Sequence, residues 1–247
     1  MIQTDICIAE LPIRVEHSFS GFSSSARPYL ADGAAYRFRV SISEDDLQLE
    51  RQKTEEEYRL EQKPVVSFSD HSLEGTAIHR KIAEQLPFYD AVVFHGSAVA
   101  VDGKAYLFTA RSGVGKTTHS RLWLKNVENS YIVNGDKPVL RLMNGQVYAC
   151  GTPWTGKEQL GCNEMVPLSA ICLLQRGETN SIREISFSEA FPVLLNQTYH
   201  PTGREAMTAT LDFIKKIGSL VRFYRLSCNM EPEAAVVSYE GMCHGDL

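Results

Sequence analysis

The chain has 247 residues, 43% of them apolar and 22% charged, with a net charge of -5. That length and balance describe a globular protein with a sizeable hydrophobic core. They exclude a binder of nucleic acid built on a long basic run, and no apolar stretch approaches the ~20 residues that cross a bilayer, so neither nucleic acid nor membrane is expected as a partner.

Six cysteines without a CxxC pair are too sparse for a disulfide framework. The first residues are interrupted by Asp5, Glu10 and Pro12 and lack the charged start and apolar stretch of a secretory signal. A cytoplasmic location is the expectation.

In chain order, Ile2 to Arg14 alternates loosely and reads as an opening strand, followed by a small, polar turn from Ser18 to Arg27. Tyr36 to Val40 alternates with period two and predicts a strand. The mixed-sign run from Glu44 to Lys63 lacks a sustained apolar stripe. Hairpins with solvated faces are preferred there, with an exposed helix as the alternative. Pro64 to Phe68 reads as a further strand. Ile78, Ile82 and Leu86 recur at i, i+4 and i+8, which predicts a helix over 76–86 that Pro87 ends. Residues 1–85 thus read as a β-rich module closing on a helix.

The grammar changes in 86–247. Ala91 to Val101 is apolar, Asp102-Gly103 supplies a hairpin turn, and Lys104 to Thr109 is a strand. That strand runs directly into Ala110-Arg111-Ser112-Gly113-Val114-Gly115-Lys116-Thr117, and Thr117 to Leu124 reads as a helix. Short strands follow at 131–133, 139–143, 146–150 and 168–174, with an Asn144-Gly145 turn between the second and third. Helices are expected over 186–195 and 203–217, a last strand over 221–226, and a frayed tail from Gly241 to Leu247.

Strand, glycine loop and helix in succession are the setting in which a phosphate loop works. Consecutive backbone N–H groups and the helix N-terminus supply positive potential without bulk. Gly113 and Gly115 permit the tight path, Val114 and Thr118 complete it beside Ser112, Lys116 reaches the outer phosphates, and the Thr117 hydroxyl suits Mg²⁺. The usual first residue is glycine; here it is Ala110. Such a loop usually works with a carboxylate, and Asp136 after the Tyr131–Val133 strand is the candidate metal ligand or general base. An Asn134-Gly135-Asp136 turn chosen for backbone geometry alone is the other reading. His95, ahead of Gly96, suits contact with a phosphate or a structural role. In Gly151 to Glu158, Lys157 suits phosphate, Glu158 suits a metal and Trp154 suits a pocket wall; a packed loop anchored by the tryptophan fits equally. No HExxH spacing or Gly-x-Ser-x-Gly elbow is present.

Residues 91–140 resemble the catalytic core shared by HPr kinase/phosphorylase and the phosphoenolpyruvate carboxykinases. The resemblance rests on Phe94-His95-Gly96, the strand Ala105 to Thr109, Ser112 to Thr118, and Val133 to Asp136. It implies a mixed α/β (α+β) fold with a P-loop core behind the N-terminal module, and His95 near the transferred phosphate. HPr kinases are commonly hexameric, but a shortened relative need not inherit that interface, so the resemblance leaves both a homo-oligomer and a monomer open. That family carries two adjacent aspartates where this chain has Gly135-Asp136, so only the second has a counterpart. The HPr kinase signature segment, its C-terminal HPr-binding region and a carboxykinase substrate site have no counterpart here.

The function these residues and the resemblance imply is an ATP-dependent phosphotransferase (a kinase) using Mg²⁺. Its acceptor would be a hydroxyl of a small molecule or a serine of a peptide or protein. A nucleotide-binding regulatory or peptide-binding module with little turnover is the alternative.

Overall fold

A computed structural model describes every residue except 32, 34, 61–63, 65–66, 112 and 244–247. The chain divides into two compact units, Met1–Gln85 and Leu86–Leu247. Among the described residues the fold is mixed α and β, with two sheets.

In the first unit, β1 (Ile2–Ile8) and β2 (Leu11–His17) form an antiparallel hairpin, and β3 (Phe38–Ser41) adds in parallel to β2. The expected single opening strand is therefore two, because Ala9 and Glu10 both take positive φ and reverse the chain. Alternation does the rest: Ile6 and Ile8 face Ile13 and Leu11, and all four are buried. A short helix α1 (Gly21–Ser25) and a 3₁₀ turn (Arg27–Tyr29) occupy the stretch read as a turn.

The hairpins preferred for 44–63 are corrected by α2 (Glu44–Leu60). Its start is a capping box: Asp46 N–H donates to Ser43 Oγ at 3.3 Å, and Ser43 N–H donates back to the Asp46 carboxylate at 2.9 Å. The stripe it buries is Asp46, Leu47 and Glu50, so its helical period is written largely in charges. Those charges meet α3 (Asp70–Gln85), where Arg80 binds both Glu50 and Asp46 and Lys81 lies 2.6 Å from Asp46. The strand read over Pro64 to Phe68 has Val65 and Val66 outside the described residues, and Pro64, Ser67 and Phe68 are not in a strand.

Among its described residues the second unit is built on one sheet of nine strands. They are β4 (Ala91–Val93), β5 (Ser97–Val101), β6 (Lys104–Thr109), β7 (Tyr131–Asn134), β8 (Val139–Met143), β9 (Gln146–Cys150), β10 (Met165–Arg176), β11 (Ser181–Ile185) and β12 (Arg222–Cys228). β6, β10 and β12 run parallel side by side, with β5 and then β7 antiparallel beyond β6, and β11 at the other edge. β10 is long because it serves two neighbourhoods: Met165–Pro167 pair with β9, and from Leu168 on the strand pairs with β6.

Both faces of the sheet are covered, so its central strands are apolar on both sides. Ala98, Ala105, Leu107 and Ile171 pack with Leu194, Phe213 and Ile217 of α5 (Phe187–Gln197) and α6 (Arg204–Ile217). Val99, Tyr106, Phe108 and Cys172 pack on the other side with Trp123 of α4 (Lys116–Asn126) and with Ala235 and Met242 of α7 (Glu233–Cys243). Trp123 Nε1 donates to Ser238 Oγ at 2.7 Å, tying α4 to α7. The start of the tail expected to fray, Gly241–Cys243, is thus the last turn of α7; residues 244–247 lie outside the described residues.

Candidate active site

The glycine loop lies between β6, in the middle of the sheet, and α4. Asp102 and Gly103 take φ 51° and 73°, which turns β5 tightly into β6 and fixes where β6 ends. Beyond Thr109 the chain passes Gly113 at φ 77° and Gly115 at φ 125°, conformations open to glycine and strained for other residues. A Cβ at Gly113 would meet nothing within 4 Å, so the loop is open on that side. The first bond of α4 runs from His119 N–H to the Gly115 carbonyl at 2.9 Å, and the helix has no side-chain cap. The N–H groups of Lys116, Thr117 and Thr118 therefore precede the helical ladder, where they suit an anion. Ser112 lies outside the described residues.

Lys116 donates to the Ala110 carbonyl at 3.0 Å, across the base of the loop. Burial pushes its ammonium below the usual lysine value, and the Asp136 carboxylate partly restores it. Val114 N–H reaches the Arg111 carbonyl at 3.3 Å, and Arg176 from the end of β10 donates to the Gly113 carbonyl at 2.5 Å. Thr117 is half-buried and Thr118 exposed in the first turn of α4.

His95 and Gly96 lie between β4 and β5 and tie together the end of β6, the end of α5 and the turn after β7. Thr109 Oγ donates to the His95 carbonyl at 3.0 Å, His95 N–H to the Gln197 carbonyl at 2.7 Å, and Gly96 N–H to the Asp136 carbonyl at 3.0 Å. A Cβ at Gly96 would stand 3.0 Å from the Phe108 carbonyl oxygen, so this close approach selects glycine. His95 Nε2 lies 3.5 Å from Asp136 Oδ1, with the side chains 43% and 31% exposed, open enough for a ligand to reach both. Burial first, then Lys116 and Lys137, hold the imidazole below its usual value against the pull of Asp136. The balance favours the neutral imidazole.

The turn read at Asn134–Asp136 is present, and the side chain that makes it is that of Asn134. The turn belongs to Asn134, which is fully buried. Its Oδ1 accepts from Asp136 N–H at 2.9 Å and Lys137 N–H at 2.7 Å, and its Nδ2 donates to Thr152 Oγ at 2.9 Å. Thr152 Oγ in turn donates to the Lys137 carbonyl at 2.8 Å. With the backbone held by Asn134, the Asp136 carboxylate is left to face His95. The sequence marks Asn134 as part of a turn but not its bonds to Thr152 and Lys137; an asparagine at a strand end, two residues before an aspartate, is the signal of such a turn.

Of the segment after β9, Lys157 is exposed and Glu158 is paired with Arg121 of α4. The structure thus brings together Lys116, His95 and Asp136, with Lys137 close by, and places Glu158 against Arg121. Among the described residues no group of three or more His, Cys, Asp and Glu side chains is arranged to hold a metal ion. The donors that fit Mg²⁺ here are the Thr117 hydroxyl and the Asp136 carboxylate, a sparse oxygen set of the kind that ion accepts when phosphate and water complete its shell. No described helix is long and apolar enough to cross a membrane.

No family model matches the chain, and no curated protein matches it in sequence. Among solved structures, the Hpr(Ser) kinase/phosphatase from Coxiella burnetii aligns over 63% of this chain and 99% of its own, at 11% identity and a TM-score of 0.39.

Proposed function

We propose that this chain is an ATP-dependent kinase related to HPr kinase, transferring a phosphoryl group to a hydroxyl of a small molecule or of a peptide or protein. The observation that carries the reading is the grouping of Lys116, His95 and Asp136 beside an open glycine loop at a helix start. In this reading Gly113, Val114, Gly115 and Thr118, together with Ser112, present backbone donors to the phosphates. Lys116 leaves the Ala110 carbonyl for the outer phosphates, and Thr117 and Asp136 hold Mg²⁺. When bound, Mg²⁺-ATP supplies the phosphoryl group and part of the charge that offsets it. Asp136 orients the acceptor hydroxyl and takes its proton, while neutral His95 offers a hydrogen bond to the same oxygen or to the phosphoryl group. Residues 1–85 and 86–247 serve as acceptor-selecting module and nucleotide core in a cytoplasmic protein.

Calorimetric titration of Mg²⁺-ATP into wild-type protein and Lys116→Ala tests the proposal. Loss of one charge-assisted contact of about 3 kcal/mol corresponds to about 100-fold weaker binding. Equal affinity in the two proteins, or no binding by folded wild type, removes the basis for the kinase assignment.

A further inference from the structure

We infer that Gly156 is a positioning residue for Asp136: its bare backbone is the wall against which the aspartate side chain rests. The inference rests on the reading of Asp136 as part of the phosphoryl-transfer site.

Aspartate χ2 is a broad, soft torsion, so a carboxylate that must point one way needs neighbours on both sides. On one side is His95, 3.5 Å from Oδ1. On the other is Gly156. A Cβ at that position would stand 2.9 Å from Asp136 Cβ, 3.2 Å from Cγ and 3.4 Å from Oδ2. Real Cβ atoms do not approach so closely, so residue 156 can touch Asp136 this way only by lacking one.

The segment that carries Gly156 is fixed at both ends to the strand and turn that carry Asp136. Gly135 N–H donates to the Leu160 carbonyl at 3.0 Å and Cys162 N–H to the Val133 carbonyl at 3.1 Å. At the near end, Thr152 bonds both Asn134 and Lys137. A Cβ at Gly161 would fall 2.7 Å from Thr155 Cγ2, so the segment is also folded tightly on itself. An intruding side chain at 156 therefore displaces Asp136 and not the loop.

Gly156 has φ 75°, which by itself explains a glycine. Gly103 separates the two reasons. It has φ 73° in the same unit, and a Cβ there would meet nothing within 4 Å. Gly156→Ala and Gly103→Ala thus carry the same backbone strain, and only the first carries the contact with Asp136.

The test is a double-mutant cycle in the full chain. Thermal melts should show Gly156→Ala losing more stability than Gly103→Ala, and the excess should vanish when Gly156→Ala is placed on Asp136→Gly, which removes the Cβ 2.9 Å away as well as the carboxylate. At one fixed pH, the His95 side-chain resonances should move in Gly156→Ala and stay in place in Gly103→Ala. With ATP as probe, Gly156→Ala should lower kcat for ADP formation by about 10- to 100-fold, and Gly103→Ala should not. The inference is overturned if the two alanine variants behave alike, or if Asp136→Gly does not relieve Gly156→Ala. Should Gly156→Ala fail to fold, the Gly156→Ala/Asp136→Gly chain must fold as well as Gly103→Ala; a double variant that stays unfolded also overturns it. Melts and resonances need no turnover. Wild-type protein silent with ATP, with the stability cycle intact, would therefore sink the kinase reading and leave the contact standing.

Discussion

The two units handle charge in opposite ways. In Met1–Gln85, buried charges are consumed by one another: Arg80 binds Asp46 and Glu50, Lys81 binds Asp46, and buried Glu74 accepts backbone N–H donors from Ser18 and Phe19. Burial would raise the Asp46 carboxyl, yet hydrogen bonds from Lys81, Ser43 and Arg80 win and hold it well below the usual carboxylate range. In Leu86–Leu247, Lys116, His95 and Asp136 are half-buried and loosely matched, and the nearest approach of the histidine and aspartate is 3.5 Å. A satisfied network fixes a packing. An unsatisfied one is a place where a ligand's charge is worth something, and it marks the site better than burial or charge alone.

That contrast breaks if charges in both units do the same job. The largest effect is expected at Asp136. Asp136→Asn should lower ADP formation by about 10²- to 10⁴-fold, the usual worth of a positioned acid or base, with little change in the melting temperature. Arg80→Ala should do the reverse, because it leaves buried Glu50 without its cation and takes one of two cations from Asp46. A loss of about 3–5 kcal/mol in denaturant unfolding is expected, with affinity for Mg²⁺-ATP kept. If Asp136→Asn destabilised as much as Arg80→Ala, the distinction between the two networks would collapse.

A smaller effect sharpens the comparison inside the second unit, where His119 is a buried polar group of the structural kind. It is 3% exposed, its Nε2 shares a hydrogen bond with Ser238 Oγ at 3.0 Å, and burial pushes its pKa down to about 4 from 6.5. Among the described residues its Nδ1 has no hydrogen-bond partner. The folded state therefore resists protonation more than the unfolded chain does. Stability from this group is fully present above about pH 6.5 and is lost as the pH falls toward 4, by about 3 kcal/mol in all. Urea unfolding at pH 7.5, 6 and 5 should show that slope, and His119→Gln should flatten it. An unchanged slope would mean that His119 is not the group responsible.

What could be read from the sequence divides along the same line. β5, β6, α4 and the glycine loop were legible because alternation, an Asp-Gly turn and a Gly-x-Gly-Lys run each leave a mark at short range. His95 and Asp136 were legible as candidates because they end strands. α2 was not, because the stripe that defines it is Asp46, Leu47 and Glu50, and a period carried by ion pairs is invisible to a hydrophobic count; the Ser43-to-Asp46 capping box was the available clue. α7 went unread because its buried side is mainly Ala234, Ala235 and Ser238, small residues that pack closely without advertising it. β11 is a mostly exposed edge strand with little alternation. The bracing of Asp136 by Gly156 and of its turn by Thr152 joins segments through backbone atoms and single hydroxyls, contacts that no local pattern announces.

β10 also sets the order in which this protein can be assembled. Its parallel partners are distant along the chain, with about sixty residues from β6 to β10 and about fifty from β10 to β12, so each pairing closes a long loop before it is rewarded. During synthesis, the residues of the glycine loop leave the ribosome well before Met165–Arg176 exist to flank β6 and supply Arg176. The nascent chain therefore carries the glycine loop for seconds without the strand that flanks β6. The surroundings of the loop are completed late, with the strand that lies beside it and not with the loop itself.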